Sequence, residues 1–213
     1  VQGVPSLHGT THRVQPDFIE IGSFIAAAVA TGGALTIPHA GDPLVLNIMQ
    51  RTYARLGVQW RVDDAGTLHL PQQIDRTIQG DIGNDTPKIE DGIWPAFPSD
   101  LMSVAIVLAT QTKGTTLFFE KMFESRMYFV DHLMSMGANI IPCDPHRVVV
   151  VGPTQLRGSI LTSPDIRAGM AMLIAACCAN GESLIKNARV IDRGYEAIED
   201  RLTQLGANMV REL

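Results

Sequence analysis

PSDLMSVAIVLATQTKGTTLFFEKMFESRMYFVDHLMSMGANI, residues 98–140, is the stretch that decides the fold. It opens on an acid, runs through about four turns of residues apolar on every side, stops at Gly114 and enters a β-branched strand. A second helix follows and ends at Met136-Gly137, where glycine can take the left-handed conformation that closes a helix. A helix without a polar face belongs in an interior, so this unit predicts a buried helix covered by sheet.

The same unit can be laid over the chain twice more. PDFIEIGSFIAAAVATGGALTI from Pro16 and SPDIRAGMAMLIAACCANGESLI from Ser163 repeat the acid, the apolar helix and the glycine, with Asp17 and Asp165 in the place of Asp100. PLVLNIMQRTYARLGVQWRV from Pro43 and RGYEAIEDRLTQLGANMV from Arg193 repeat the second helix, closing at Leu56-Gly57 and Leu205-Gly206. A period of roughly 65 to 80 residues is longer than that of most thin solenoids and predicts a pseudo-symmetric α/β domain. We place the repeats at about 16–81, 98–162 and 163–213, within a single domain spanning 1–213.

Between the units, residues 1–15 read as a strand and a turn, and Pro16-Asp17 as the start and cap of the first helix. Leu44, Ile48, Tyr53 and Leu56 are the expected core positions of the second helix. VQWRVDD, TLHLPQ and TIQGDIG read as short strands, the first two joined by a turn at Asp63-Asp64-Ala65-Gly66. Residues 83–98 form the long loop, with an exposed Trp94. In the second unit Val130, Leu133, Met134 and Gly137 share the core face. Further strands are expected at 146–152 and 156–163, the latter with Leu156, Gly158, Ile160 and Thr162 alternating.

Net charge of −5 and 17 scattered Lys and Arg provide no basic field for nucleic acid. The longest apolar run, near 168–179, is too short and too rich in Ala and Gly to span a bilayer. Cys143, Cys177 and Cys178 form no CxxC pattern and read as buried thiols in a reducing cytosol. Six histidines without HxH or HExxH spacing predict no metal site. The chain starts at Val1 rather than Met, and we expect it to be a piece of a longer protein.

Asp100, Arg126, Asp165, Arg167, Asp192 and Arg193 stand at or just before helix starts. If the units share a pseudo-threefold axis, these ends meet on one rim. Arginines beside helix N-termini suit a small dianion such as a phosphate, and an unpaired acid there suits proton transfer. The competing reading is that Asp is the commonest helix cap and that Asp192-Arg193 is an ordinary surface pair.

WPAFPSDLMSVAIVLATQTKGTTLFFEKMFESR, SPDIRAGMAMLIAA, VIDRGYEAIEDRLTQLGA and PDFIEIGSFIAAAVATGG resemble the UDP-N-acetylglucosamine 1-carboxyvinyltransferase family of enolpyruvyl transferases. The resemblance covers nearly the whole chain and is carried above all by FPSD, DIRAG and DRGYE. It implies one pseudo-threefold inside-out α/β barrel, helices inside and mixed sheets outside, from a two-domain bacterial cytoplasmic enzyme of peptidoglycan synthesis. The reaction it implies moves enolpyruvate from phosphoenolpyruvate to the 3-hydroxyl of UDP-N-acetylglucosamine, without cofactor, metal, nucleic acid or membrane.

Residue by residue, Asp100 falls on the acid at the sugar 3-hydroxyl, proposed as its base. Met122 falls on a sugar-nucleotide contact, Asp165 on an acid lining the cleft, and Arg126, Arg167 and Arg193 on active-site arginines, the last gripping phosphoenolpyruvate. Ser125 stands where the family has Asn, and Val190 where it has His. The family's Lys-Asn pair and reactive-cysteine loop have no counterpart in these residues, so the chain alone is expected to be inactive. Two alternatives are carried forward: a shikimate 3-phosphate enolpyruvyl transferase, and an inactive sugar-nucleotide-binding paralogue.

Overall fold

A computed structural model describes residues 1–72 and 76–212; positions 73–75, inside the first expected repeat, lie outside the described residues. Three helices form the centre: α1 (Phe18–Ala30), α3 (Met102–Thr110) and α5 (Ile166–Cys178), each packed against the other two. All nine residues of α3 are buried, as its uniformly apolar sequence requires. Close approach is built in by small residues. A Cβ at Gly22 of α1 would stand 2.8 Å from the Leu101 side chain, and one at Gly169 of α5 would stand 2.4 Å from Ser163 Oγ.

Sheets cover this centre from outside. β1 (Leu35–Ile37), β2 (Arg61–Val62) and β3 (Leu68–Leu70) form an antiparallel sheet in the order β1-β3-β2. β4 (Lys88–Glu90), β5 (Gly114–Phe119), β6 (Asn139–Asp144) and β7 (Arg147–Gly152) form a mixed sheet in the order β4-β5-β7-β6. β8 (Ile160–Thr162) and β9 (Leu184–Lys186) pair in parallel. Parallel neighbours cannot be joined by a tight hairpin, and here the crossovers are the central helices: α3 links β4 to β5, and α5 links β8 to β9. Each crossover helix therefore starts beyond the carboxyl end of a strand, where open α/β sheets place their ligands.

The outer helices are α2 (Pro43–Arg55), α4 (Val130–Ser135) and α6 (Ile198–Gln204). Just past them Gly57, Gly137 and Gly206 have φ of 73°, 100° and 104°, the left-handed closure expected at those positions.

The caps differ in a way that matters for chemistry. Asp17 Oδ1 accepts the Ile19 and Glu20 N–H groups, and Asp165 Oδ1 accepts those of Arg167 and Ala168, at 2.7 and 2.9 Å. Both follow a proline directly. Before α3 the sequence is Pro98-Ser99-Asp100, one residue longer, and a 3₁₀ turn (Ser99–Leu101) opens the helix with Pro98 in the extended cap conformation. Asp100 is thus inside the first turn and makes no capping bond.

Several local expectations are corrected. Residues 1–15 form no strand: they are exposed throughout and pair with no strand among the described residues. TIQGDIG gives only an isolated bridge, Thr77 to Lys113, and a 3₁₀ turn (Ile82–Asn84). In α2, Leu46 and Met49 are buried while Leu44 is exposed. Met134 of α4 is exposed, and Met136, just past the helix, is buried in its place. In β8 the buried residue is Leu161, and Ile160 points outward. Cys143 and Cys177 are exposed and Cys178 half-buried, so the thiols are not core residues. Leu44 sits in the first turn of α2, just after the Asp42 cap, while α4 has six residues and β8 three, too few for periodicity to fix a face.

Two stability tests follow from the packing and the caps. Ile106→Ala should cost about 2–5 kcal/mol in denaturant unfolding, against less than about 0.5 kcal/mol for the exposed Ile160→Ala. Asp165→Ala should cost about 0.5–2 kcal/mol while Asp165→Asn stays near wild type, since asparagine caps equally well; equal losses would remove the cap assignment.

Candidate active site

Freed from capping, the Asp100 carboxylate is held between two guanidinium groups. Arg126 Nη1 donates to Asp100 Oδ1 at 3.1 Å, and Arg167 Nη2 lies 2.8 Å from Oδ2. The two arginines are about one-fifth exposed and the carboxylate somewhat more, so the pairs sit at the edge of solvent. Arg126 comes from the segment beyond the carboxyl end of β5, and Arg167 from the first turn of α5 beyond β8. The parallel crossovers thus deliver three charged side chains from two units to one place.

Each arginine is held by further contacts. Arg126 Nη1 also donates to the Ser99 carbonyl at 3.1 Å, and its guanidinium lies 4.8 Å from the Phe123 ring centroid. Arg167 lies over the Tyr195 ring at 5.8 Å. Burial would lower the Arg167 pKa, but the Asp100 carboxylate and then Tyr195 outweigh it, and the net direction is upward. Its Nη1 is buried without a hydrogen-bond partner among the described residues. The buried Tyr195 hydroxyl shares a 2.8 Å hydrogen bond with Ser23 Oγ of α1, which in turn donates to the Ile19 carbonyl. Burial raises the Tyr195 pKa, so the phenol stays protonated and able to donate.

The remaining expected site residues are placed less tightly. Met122 is exposed, its main-chain N–H donating to Glu120 Oε1 at 3.1 Å. Asp165 is committed to its helix start. Arg193 ends the 3₁₀ segment Ala188–Arg193, exposed and in no ion pair among the described residues. Asp192 does not pair with Arg193, as a surface pair would require. It receives two bonds from Arg211, at 2.8 and 2.7 Å, and these are the main reason its pKa is lowered.

Sequence reasoning missed Tyr195, Ser23 and Phe123, although Tyr195 stands inside the DRGYE string. It also recorded Ser125 only as a departure. Ser125 has φ of 66°, in the left-handed region where Asn is several-fold enriched, and it turns the chain directly into Arg126. Asparagine at this position in the resembled family therefore has a backbone reason. A hollow of about 1410 Å³ lies elsewhere, between α1, α5, β9 and α6; Asp192 lines it, but Asp100, Met122, Arg126, Asp165, Arg167 and Arg193 do not.

The EPSP synthase (3-phosphoshikimate 1-carboxyvinyltransferase) family model matches residues 1–202. Among curated relatives, UDP-N-acetylglucosamine 1-carboxyvinyltransferase of Bradyrhizobium diazoefficiens is 53% identical over 211 residues, 99% of this chain and 48% of the relative. The protein of that name from Treponema pallidum is 50% identical over 212 residues, 100% of this chain and 49% of the relative. The chain thus spans about half the length of these relatives. In three dimensions it resembles the enolpyruvyl transferase NikO from Streptomyces tendae, with a TM-score of 0.77 at 24% identity over 92% of this chain and 44% of that one. EPSP synthase from Acinetobacter baumannii superposes with a TM-score of 0.62 at 14% identity over 94% of this chain and 44% of that one. At these identities the two structures speak for the fold, and with the family match over nearly the whole sequence they lead to one conclusion: the chain belongs to the EPSP synthase family of enolpyruvyl transferases.

Proposed function

We propose that this chain is one domain, built of three repeats, and half of an enzyme that transfers enolpyruvate from phosphoenolpyruvate to the 3-hydroxyl of UDP-N-acetylglucosamine in the bacterial cytoplasm. The observation that carries the reading is the uncapped Asp100 carboxylate suspended between Arg126 and Arg167. The roughly 50% identity to carboxyvinyltransferases of that name directs the choice of acceptor.

In this reading Asp100 accepts the proton of the sugar hydroxyl as its oxygen adds to the enol carbon of phosphoenolpyruvate, and phosphate leaves in a second step. Arg126 and Arg167 orient the carboxylate and face the charge of the tetrahedral adduct, where fixed guanidinium groups are worth several kcal/mol of barrier, on the order of 3. The buried, unpartnered Nη1 of Arg167 is the donor we assign to substrate. Arg193, exposed and without an ion pair among the described residues, is assigned to phosphoenolpyruvate, Met122 to the sugar nucleotide, and Asp165 to the cleft wall. The other half of the protein supplies the remaining groups, and the chain alone should not turn over. No helix among the described residues is long and apolar enough to cross a membrane.

Phosphate release by the full-length protein tests the reading, with UDP-N-acetylglucosamine and shikimate 3-phosphate as rival acceptors. Release with the sugar nucleotide only, reduced at least about 100-fold in Asp100→Asn, is the expected result. Release with shikimate 3-phosphate instead, or binding without release, would replace it by one of the two alternatives. Ser125→Asn, which suits the left-handed backbone, should raise stability by about 0.5 kcal/mol without lowering the rate; a fall in rate would show that serine itself is needed.

A further inference from the structure

Behind Asp100 lies a second pair of acids that the proposed reaction does not use. Asp91, just past β4, and Glu120, just past β5, are 1% and 0% exposed. The parallel register of β4 and β5, with Glu90 opposite Phe119, ends the two strands together and sets these two acids side by side. Two carboxylates buried side by side repel each other, whereas a carboxylic acid and a carboxylate can hydrogen-bond. Nor does a cation among the described residues offset them. Lys121 Nζ goes to Glu90 at 2.8 Å, Lys88 goes to Glu90 at 2.6 Å, and Arg147 stacks on Phe119. The His146 ring, from the turn between β6 and β7, bonds through Nδ1 to the Glu120 main-chain oxygen, at 2.9 Å, rather than to either carboxyl. Arg126 is spent on Asp100 and the Ser99 carbonyl.

The bonds assign the proton. Glu120 Oε1 is surrounded by donors: Ser99 Oγ at 3.0 Å, Met122 N–H at 3.1 Å and Phe123 N–H at 3.2 Å. Glu120 Oε2 has only the Ser99 hydroxyl, at 2.8 Å, and is the oxygen left to carry hydrogen. Asp91 Oδ1 accepts the Lys121 N–H at 2.6 Å, while Asp91 Oδ2 is buried without any other donor, and the acid proton is what satisfies it. Burial, and then the close Asp91 side chain, push the Glu120 carboxyl up to about 7.

What this pair holds is the site. Through Ser99 it fixes the 3₁₀ turn that carries Asp100 and offers its carbonyl to Arg126. Through the Lys121, Met122 and Phe123 amides it fixes the segment running from Met122 to Arg126. We propose that Asp91 and Glu120 share one proton as a clamp that positions Asp100, Arg126 and the Met122 segment for the sugar nucleotide. Both are positioning residues, and neither touches the reacting atoms. The inference rests on the transferase reading for its ligand, but not for the clamp.

When the shared proton is lost, two buried carboxylates face each other and the clamp opens. The folded protein holds a proton that the unfolded chain, with an ordinary glutamate, gives up near pH 4.5. The clamp's stabilisation is therefore complete below that pH and lost as pH rises through about 7.

The test uses the full-length protein and two readouts. By calorimetry, UDP-N-acetylglucosamine affinity of the wild type should fall about tenfold between pH 6.5 and 8.5. In Glu120→Gln, which fixes the neutral form, the same affinity should stay flat, and in Glu120→Ala it should be low throughout. The thermal midpoint of wild type relative to Glu120→Gln should likewise fall between pH 5 and 8. Parallel pH profiles in wild type and Glu120→Gln, in both readouts, would overturn the clamp. If the sugar nucleotide binds to neither protein, the transferase reading fails, and the thermal comparison alone decides the clamp.

Discussion

An apolar helix with no polar face must be covered on every side, and that requirement shapes this molecule. α3 is wholly buried, and its cover comes from α1 and α5 beside it and from β5 and β7 outside it. A helix so placed can connect its strands only by crossing over the sheet, which makes β4 and β5 parallel. The consequence is chemical as well as architectural. The start of α3, the segment after β5 and the start of α5 come to the same edge, bringing Asp100, Arg126 and Arg167 within hydrogen-bonding distance.

Within that frame, one residue separates an acid consumed by its helix cap from one left free for two arginines. Pro16-Asp17 and Pro164-Asp165 put aspartate in the cap position, where its oxygen is consumed by backbone N–H groups. Pro98-Ser99-Asp100 moves the extended cap conformation onto proline and the acid into the first turn. There the helix dipole still favours its negative charge, but no amide of its own helix claims it. The Ser99 hydroxyl is directed at Glu120 instead, so the inserted residue both releases Asp100 and anchors it from behind.

Much of this was legible in the chain. The three apolar helices, the closing glycines at 57, 137 and 206, and the cluster of Asp100 with Arg126 and Arg167 all follow from pattern or resemblance, because each leaves a local mark. The Pro-Ser-Asp spacing was also open to view, yet a cap and an uncapped acid look alike until the geometry of the first turn is known. Leu44 was assigned inward wrongly because it lies in the first turn of its helix, and Met134 and Ile160 because a six-residue helix and a three-residue strand do not fix a face. The Asp91–Glu120 contact left no sequence signal. It depends on two parallel strands ending side by side, and an acid after a strand ordinarily reads as a solvated loop residue.

The two acid arrangements differ in a way that burial and charge explain. Asp100 is more than one-third exposed and has two guanidinium partners, so its negative charge is offset and accessible to a ligand. Asp91 and Glu120 are buried with no cation paired to them among the described residues, and two negative charges there would be opposed by both desolvation and mutual repulsion. A shared proton is the arrangement that removes one charge while keeping every donor matched. Replacing the pair by a salt bridge would place a lysine or arginine behind Asp100, competing with Arg126 and Arg167 for its carboxylate. A neutral acid hydrogen-bonded to a carboxylate holds Ser99 without adding a positive charge to the edge where Asp100 must keep its two partners.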